Sequence, residues 1–277
     1  MTEMKMYICG CVRNTGTYLH DVFENIEKIY DLLYDYHIII AYDESDDDSL
    51  NILKKYKDKY KDKFSLLIGS KPLSKIRTEN IANARNKIIN EINGLNFRGF
   101  DYFIMMDMDD VCAKPINKEV LNHVFNKEKT EPLSWDALSF NRRDYYDLWA
   151  LSIYPYTFSL LHYKNRNKIK HAMRNVLNDK FTQEIKKNGN DGLIDCISAF
   201  NGFAIYKTKI FSNIKYEWNV QKLLEIYPKS NIDIMSNHVW QAPIPRLDDC
   251  EHRYFHIRAS KQNKARICIS PMLLFND

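Results

Sequence analysis

Strand signals and helix signals alternate along residues 1–112, and this alternation limits the possible folds more than any other feature of the sequence. Short apolar runs of strand length are separated by segments in which apolar residues recur at helical spacing. The runs are MYICGCV, HIIIAY, FSLLIGS and DYFIMM. Four strands with three intervening helices are typical of βαβ units on one sheet. The sequence therefore predicts an α/β fold with a mainly parallel central sheet and helices on both faces.

The second half of the chain is less regular. WDALSF and ARICISPMLLF have the length and composition of strands. CISAFNGFAIY also predicts a strand, with a kink at Asn201-Gly202, because glycine inside a strand pattern often marks a bulge or a close approach. Residues 162–187 are strongly basic, and we expect a helix or a mobile flap there.

The size of the chain fits a single folded unit. With 277 residues, of which 45% are hydrophobic, the chain can bury a full core. The sequence contains no internal repeat, low-complexity tract or clear linker. We therefore expect one domain over residues 1–277, with a regular half at residues 1–112 and a more elaborated half at residues 113–277.

Charge and hydropathy limit the classes of partner and compartment. The chain has 40 basic and 36 acidic residues, so its net charge of +4 gives no reason to expect a nucleic-acid partner. The start lacks the features of a secretory signal, and no uncharged apolar run reaches the roughly 20 residues of a membrane helix. We expect a cytoplasmic protein without a transmembrane segment, with its six cysteines as free thiols. Heavy use of Lys, Asn, Ile and Tyr is typical of an AT-rich genome, such as that of a low-GC bacterium or of a large DNA virus, which would place the protein in host cytoplasm.

Polar side chains follow three of the predicted parallel strands. Arg13-Asn14 comes after the first strand, an acidic run beginning at Asp43 after the second, and residues 107–110 after the fourth. Ligands of parallel α/β sheets bind beyond the carboxyl ends of the strands. We therefore expect these three segments to converge on one edge of the sheet.

Asp107 and Asp109 have a spacing that suits a divalent cation. Two carboxylates at a strand end can approach one hard cation and leave coordination positions for phosphate oxygens. Oxygen ligands favour Mg²⁺ or Mn²⁺ over zinc. Since three acidic residues within four positions repel one another, a cation would also relieve that cost. Taken alone, the pattern more often marks an exposed strand end.

Arg85 lies on the apolar face of the predicted helix RTENIANARNKIINEI, whose N-cap we expect to be Thr78. A guanidinium among core residues must find an anion, because an unpaired buried charge costs several kcal/mol. A structural role would pair Arg85 with Asp107 or Asp43. A functional role would place its planar fork on a ligand diphosphate.

The order of motifs resembles that of GT-A fold (Rossmann-like) glycosyltransferases. The motifs similar to their nucleotide-binding half are ICGCVRN, AYDESDDDS, RTENIANARN and DYFIMMDMDD, with DMD as the DxD motif. The motifs similar to a subgroup that includes viral and bacterial enzymes and the Cap59-like mannosyltransferases are YYDLWALS, SAFNGFAIYK and DDCEHRYFHI, followed by RICISP. The resemblance covers roughly residues 6–272.

This resemblance implies a metal-dependent glycosyltransferase that moves a sugar from a UDP- or GDP-linked donor to a hydroxyl of a glycan or protein-linked glycan. The residues that it implies around the nucleotide sugar are Cys11, Val12, Arg13, Asp43, Arg77, Arg85, Asp107 and Met108. The metal, Mn²⁺ or Mg²⁺, would be held by Asp107 and Asp109. Either His252 or His256 would add a ligand, or both are ordinary buried or surface histidines.

The resemblance also implies residues near the acceptor. Asn201 and Gly202 would let a kinked strand approach a sugar, or would serve packing alone. Trp149 would stack on a sugar face, or would belong to the core. Glu251 is the candidate base because deprotonating a sugar hydroxyl requires a carboxylate within hydrogen-bond reach. Asp249 and its neighbour Asp248 compete for that role, and an in-line base would invert the anomeric centre, whereas its absence favours retention.

Two other functions remain open at the level of sequence. A nucleotidyltransferase would normally show a Gly-rich loop after the first strand, where this chain has GCVRNTGTY. A non-catalytic metal- or sugar-binding module is suggested by DESDDDS, although Asp48 stands where a calcium-binding EF-hand loop needs glycine. The basic residues 164–187 are either a solvated face or a surface for an anionic acceptor.

Overall fold

The structure is a computed structural model that describes residues 4–69, 73–231, 233 and 246–276. The strands within these ranges are β1 (Lys5–Val12), β2 (Asp35–Tyr42), β3 (Phe64–Ile68), β4 (Tyr102–Asp107), β5 (Ala137–Asn141), β6 (Ile194–Cys196), β7 (Phe203–Lys207) and β8 (Ile267–Leu273). The helices within them are α1 (Leu19–Tyr30), α2 (Ser49–Tyr60), α3 (Arg77–Gly94), α4 (Asp110–Ala113), α5 (Lys118–Thr130), α6 (Arg166–Asn188), α7 (Thr208–Phe211), α8 (Val220–Ile226) and α9 (Glu251–Asn263).

All of these strands join one sheet in the order β3-β2-β1-β4-β7-β5-β8-β6. The first four strands are mutually parallel, β7 is antiparallel to both β4 and β5, β8 is parallel to β5, and β6 is antiparallel to β8. The predicted α/β fold with a mainly parallel sheet is thus confirmed. Since β1 lies between β2 and β4, the chain reverses its direction across the sheet there, which is where such folds bind ligands.

Helices cover both faces of the sheet, so its central strands are buried on both sides. Ile8 and Ile104 face one core, which α1, α2 and α5 complete, whereas Cys9 and Met105 face a second core built with α3 and α9. This division follows from the alternation of side chains along a strand. Strands buried on both faces read as continuous apolar runs, which explains why the sequence signal was clear.

Two local predictions are wrong. Helix α3 begins at Arg77 with Ile76 as its N-cap, and Thr78 lies inside the first turn, where its Oγ1 donates to Asp248 at 3.1 Å. The segment CISAFNGFAIY is not one kinked strand, because β6 ends at Cys196 and β7 begins at Phe203. Between these strands, Asn201 and Gly202 have φ of 55° and 85°, in the left-handed region that interrupts a strand.

The basic segment forms a helix, which is one of the two predicted alternatives, the other being a mobile flap. Helix α6 has 23 residues and buries Met173, Leu177 and Phe181, spaced four apart, against a core that includes Leu148 and Leu151. Helix α6 therefore packs against part of the segment that runs from β5 to α6. Among the helices of the described ranges, none combines the length and the apolar character needed to cross a membrane.

Candidate active site

A cavity of about 300 Å³ lies at the carboxyl ends of β1, β2 and β4, where the sheet reverses direction. Its lining includes Cys11, Val12, Arg13, Asn14, Asp43, Arg77, Arg85, Asp107, Met108 and Asp109. The three polar strand ends therefore converge as expected. All eight residues that the sequence analysis assigned to a nucleotide sugar border this space, which we call the first cavity.

A second cavity of about 330 Å³ adjoins the first and shares part of its wall. The shared residues are Arg77, Ile81, Arg85, Asp107 and Asp109, and the others include Tyr146, Asp147, Trp149, Phe200, Glu251 and His252. Trp149 is half-buried here, and the guanidinium carbon of Arg246 lies 5.7 Å from its ring centroid. The arrangement offers two neighbouring compartments separated by acidic and basic side chains.

Met108 turns into the core between the two flanking aspartates, as alternation along an extended chain requires. Its side chain is 2% exposed and packs over Gly10. A Cβ atom at Gly10 would lie 2.4 Å from Met108 Cγ, so only glycine allows this close packing. Asp107 and Asp109 are thereby directed together toward the cavities.

Three hydrogen bonds fix the position of Asp107. Its Oδ2 accepts a hydrogen bond from the hydroxyl of Tyr146 at 2.7 Å, and its Oδ1 accepts one from Arg85 Nη2 at 3.3 Å. Its backbone N–H donates to the carbonyl oxygen of Gly202 at 2.9 Å. These bonds, all made by the protein itself, fix the orientation of the Asp107 carboxylate.

Asp109 is half-buried and caps the short helix α4, its Oδ1 accepting from the backbone N–H of Val111 at 3.1 Å. Burial, followed by the charge of Asp107, raises the pKa of Asp109 to about 6. Within the described ranges, no three His, Cys, Asp or Glu side chains are grouped to hold a metal ion. A cation between Asp107 and Asp109 would thus complete its shell with water and ligand oxygens. That donor set fits Mg²⁺ or Mn²⁺, since ions of this type commonly bind through one or two carboxylates and substrate phosphates.

The two candidate histidines lie on one face of α9, as expected, but both are buried. His256 is outside both cavities, and its ring nitrogens contact Ser198 Oγ at 2.9 Å and Tyr206 Oη at 3.1 Å. Burial lowers the pKa of His256 to about 3, so it is neutral. His252 borders the second cavity with its ring stacked on Phe200 at 3.8 Å, and burial holds its pKa well below the usual range. The geometry thus gives His256 a core position and brings only His252 to the site.

Arg85 joins the two cavities through a buried ion-pair network. It is 5% exposed, and its Nη1 donates to Glu251 Oε1 while its Nη2 reaches Asp107. The guanidinium carbon lies 4.8 Å from the centroid of the Phe200 ring. The predicted pairing with Asp107 is confirmed, whereas Asp43 is contacted by Lys87 at 3.5 Å instead. The pairing with Glu251 was not predicted.

The three acidic candidates for the base have different environments. Glu251 is 4% exposed and borders the second cavity at the start of α9. Burial raises its pKa despite the opposing effect of Arg85. Asp249 is buried outside both cavities, where its Oδ2 accepts from Arg253 Nε at 3.1 Å, and Asp248 is bonded to Thr78 and Arg246. Of these three, only Glu251 borders either of the two cavities described above.

Asn201 and Gly202 border neither cavity but fix the segment that does. Asn201 Oδ1 accepts from the backbone N–H groups of Tyr146 at 3.2 Å and Asp147 at 3.3 Å, while its Nδ2 donates to the carbonyl oxygen of Phe140 at 2.9 Å. At Gly202, a Cβ atom would lie 2.6 Å from Val111 Cγ1. The turn therefore acts on the second cavity through Tyr146 and Asp147.

Sequence reasoning missed Tyr146 and Asp147. Asp147 borders the second cavity, and its Oδ1 accepts from the backbone N–H of Ala150 at 3.0 Å. Burial, opposed by that hydrogen bond and aided by the charge of Asp107, raises the pKa of Asp147 to about 6. The available signal was the single acidic residue inside the aromatic run YYDLWALS, because burying a carboxylate in such a run requires a reason.

Comparison with known proteins gives a family match and a fold match. The sequence profile of glycosyl transferase family 2 matches residues 7–212, whereas a comparison with curated proteins finds no match. The structure of TarS from S. aureus has 14% identity and a TM-score of 0.50, and the alignment covers 98% of this chain and 36% of TarS.

Two further structures have lower TM-scores. A mannosyltransferase from Pyrobaculum calidifontis, solved with GDP-Man and Mn²⁺, has 12% identity and a TM-score of 0.44 over 96% of this chain and 56% of its own. The glucosyl-3-phosphoglycerate synthase of Mycobacterium tuberculosis, solved with Mn²⁺, UDP and phosphoglyceric acid, has 10% identity and a TM-score of 0.43 over 83% and 66%. The chain spans less than two thirds of each of these proteins. Because the family profile matches most of the sequence and the sheet has the expected α/β architecture, the chain belongs to glycosyl transferase family 2.

Proposed function

We propose that this protein transfers a sugar from a UDP- or GDP-linked donor to a hydroxyl of a glycan or protein-linked glycan, using Mn²⁺ or Mg²⁺. The observation that carries the proposal is the pair of adjoining cavities that share Asp107, Asp109, Arg77 and Arg85. One compartment suits a nucleotide and the other a sugar with its acceptor, while the reacting bond would lie at their shared wall. Family membership supports the same chemistry.

The first cavity would hold the nucleotide by its strand-end residues. The backbone and side chains of residues 11–13 and the carboxylate of Asp43 would bind the base and ribose. Arg77 is exposed at the first position of α3 and borders both cavities. A diphosphate placed there would meet a guanidinium and a helix N-terminus, both of which favour negative charge.

The shared wall would stabilise the leaving group. Asp107 and Asp109 would hold the cation, and Arg77 and Arg85 would lie near the diphosphate. When bound, the cation supplies neutralisation of the charge that develops on the diphosphate. Arg85 and Tyr146 orient Asp107 beforehand, so its carboxylate needs little rearrangement to bind.

The second cavity would accommodate the transferred sugar and the acceptor hydroxyl. Trp149 offers an aromatic face for a sugar ring. Glu251 and Asp147 are the described carboxylates in this cavity outside the proposed metal pair, and either is placed to receive the proton of an attacking hydroxyl. Such a base gives inversion at the anomeric carbon. The family match favours a transferase over a nucleotidyltransferase or a non-catalytic module.

Ligand-dependent stabilisation tests the proposal. We expect UDP or GDP at about 100 times its dissociation constant to stabilise the fold by about 2.7 kcal/mol in the presence of Mn²⁺. For a chain of this size, that corresponds to a rise in melting temperature of roughly 5–10 °C. EDTA should abolish the rise, and Mn²⁺ should support slow hydrolysis of the matching nucleotide sugar. If neither nucleotide shifts the melting temperature with Mn²⁺ and no donor is hydrolysed, the proposal fails.

We propose further that the acceptor carries negative charge. Helix α6 contains seven Lys or Arg residues against two Asp or Glu, and it packs behind the segment that forms one wall of the second cavity. The affinity for a phosphate-bearing glycan should therefore fall steeply with salt, whereas donor affinity should not. The dephosphorylated glycan is the control, and equal salt dependence of the two glycans would contradict the proposal.

A further inference from the structure

Glu251 and Asp147, the two described carboxylates of the second cavity outside the proposed metal pair, differ in the free-energy cost of their protonation. Glu251 Oε1 accepts from Arg85 Nη1, and both side chains are almost fully buried. Adding a proton to Glu251 would remove its half of a buried ion pair and leave the guanidinium with Asp107 alone. Breaking buried pairs is strongly unfavourable. A base must take up a proton during every turnover, so this environment suits Glu251 to holding Arg85 in place.

Asp147 has no cationic partner among the described residues. Its Oδ1 accepts from the backbone N–H of Ala150, while no described group donates to its Oδ2. A proton on Asp147 would break no ion pair and would reduce its repulsion with Asp107 and Glu251, both of which raise its pKa, while the charge of Arg85 acts in the opposite direction without contacting it. That pKa, about 6, is close to the value that favours general base catalysis near neutral pH.

The position of Asp147 is fixed by backbone contacts, which a catalytic carboxylate requires. The side chain of Asn201 holds the N–H of Asp147 at 3.3 Å and that of Tyr146 at 3.2 Å. The hydroxyl of Tyr146 in turn donates to Asp107 at 2.7 Å. The segment that carries Asp147 is therefore tied both to the sheet and to the proposed metal ligand.

We propose that Asp147, rather than Glu251, is the general base of the transferase; this assignment rests on the proposed function. The acceptor oxygen forms a bond to the anomeric carbon while the bond from that carbon to the diphosphate oxygen breaks. The hydroxyl proton passes to Asp147 Oδ2, and the electron pair of the broken bond leaves with the nucleoside diphosphate. Asp147 then returns the proton to solvent. Glu251 positions Arg85 at the shared wall.

The test compares Asp147→Asn with Glu251→Gln in Mn²⁺-dependent hydrolysis, with water as the acceptor. UDP-glucose, UDP-GlcNAc and GDP-mannose serve as donors, and the affinity for UDP and GDP is measured by thermal shift. Asp147→Asn should lower turnover by about 100-fold or more while nucleotide affinity stays within about twofold of wild type. Glu251→Gln should change nucleotide affinity and melting temperature together, because Arg85 loses its partner. Asp144→Asn, an exposed change in the same segment, should leave both quantities unaltered.

The variants test the base assignment, and the wild-type protein tests the proposed function. Hydrolysis by Asp147→Asn at the wild-type rate overturns the assignment, as does an isolated loss of turnover in Glu251→Gln. If Asp147→Asn does not fold, Asp147→Ser must show the same isolated loss, because it keeps the backbone bonds to Asn201. A wild-type protein that neither binds nucleotide with Mn²⁺ nor hydrolyses any donor defeats the transferase function itself. One that binds nucleotide but transfers sugar to neither water nor methyl glycosides contradicts both.

Discussion

The Asp109→Asn variant is expected to lose Mn²⁺-dependent nucleotide binding and to turn over donor about 1,000-fold more slowly than wild type. Metal ions supply several kcal/mol of charge stabilisation in the transition state, and each 1.36 kcal/mol is a factor of ten in rate. Asparagine keeps one oxygen but removes the charge that a cation would pair with. Since asparagine is also a good N-cap, the bond to Val111 and the start of α4 should survive.

A neighbouring acidic residue provides the matched control for this change. Asp110 is exposed, directly follows Asp109 and borders neither cavity. Asp110→Asn should retain Mn²⁺-dependent binding of UDP or GDP and nearly full turnover. Isothermal titration with nucleotide, with and without Mn²⁺, measures the difference. Equal metal dependence in both variants would show that the local density of negative charge, and not the position of Asp109, determines binding.

The Arg85→Met variant is expected to be strongly destabilised, with the free energy of unfolding lowered by about 3–5 kcal/mol. The cost arises because Glu251, which is 4% exposed, would keep its charge without a partner, and Asp107 would lose one of its donors. Chemical denaturation of the variant against wild type measures this quantity. The exposed pair of Lys118 and Asp31 provides a control, since Lys118→Met should cost less than about 1 kcal/mol.

A double-mutant cycle separates the ion pair from other effects of Arg85→Met. Glu251→Gln alone leaves the guanidinium with only Asp107 and should also be destabilising. The double variant Arg85→Met/Glu251→Gln should be less destabilised than the sum of its single changes, because neither buried charge remains unpaired. Strict additivity of the two changes would contradict the buried pair.

The regular half of the fold was predictable because its signals are local. Strands buried on both faces appear as continuous apolar runs, and the rule that ligands bind at carboxyl ends of parallel strands correctly brought Arg13, Asp43 and Asp107 to one edge. The segment around Asn201-Gly202 was predicted as one kinked strand, whereas two strands separated by a turn lie there. An Asn-Gly pair inside an apolar run fits a bent strand and a turn between two strands equally well, so the sequence does not distinguish them.

The parts of the site that escaped prediction depend on contacts between residues distant in sequence. Arg85 and Glu251 are 166 positions apart, and nothing in either segment indicates which of several acids reaches the guanidinium. The spacing of His252 and His256 correctly placed both on one helix face, but it did not reveal that this face is buried. Asp147 lies within YYDLWALS, but that motif alone predicts no role for it, because its position depends on the contacts that Asn201 makes with the same segment.

The most direct test of the central claim is a crystal structure of the protein with Mn²⁺ and UDP or GDP, with manganese located by its anomalous signal. We expect one manganese peak coordinated by Asp109 and by diphosphate oxygens, with the nucleotide in the first cavity and the diphosphate beside Arg77. A structure in which the nucleotide lies elsewhere, or in which Asp109 faces solvent with no manganese bound to it, would contradict the proposed metal-assisted binding of the donor.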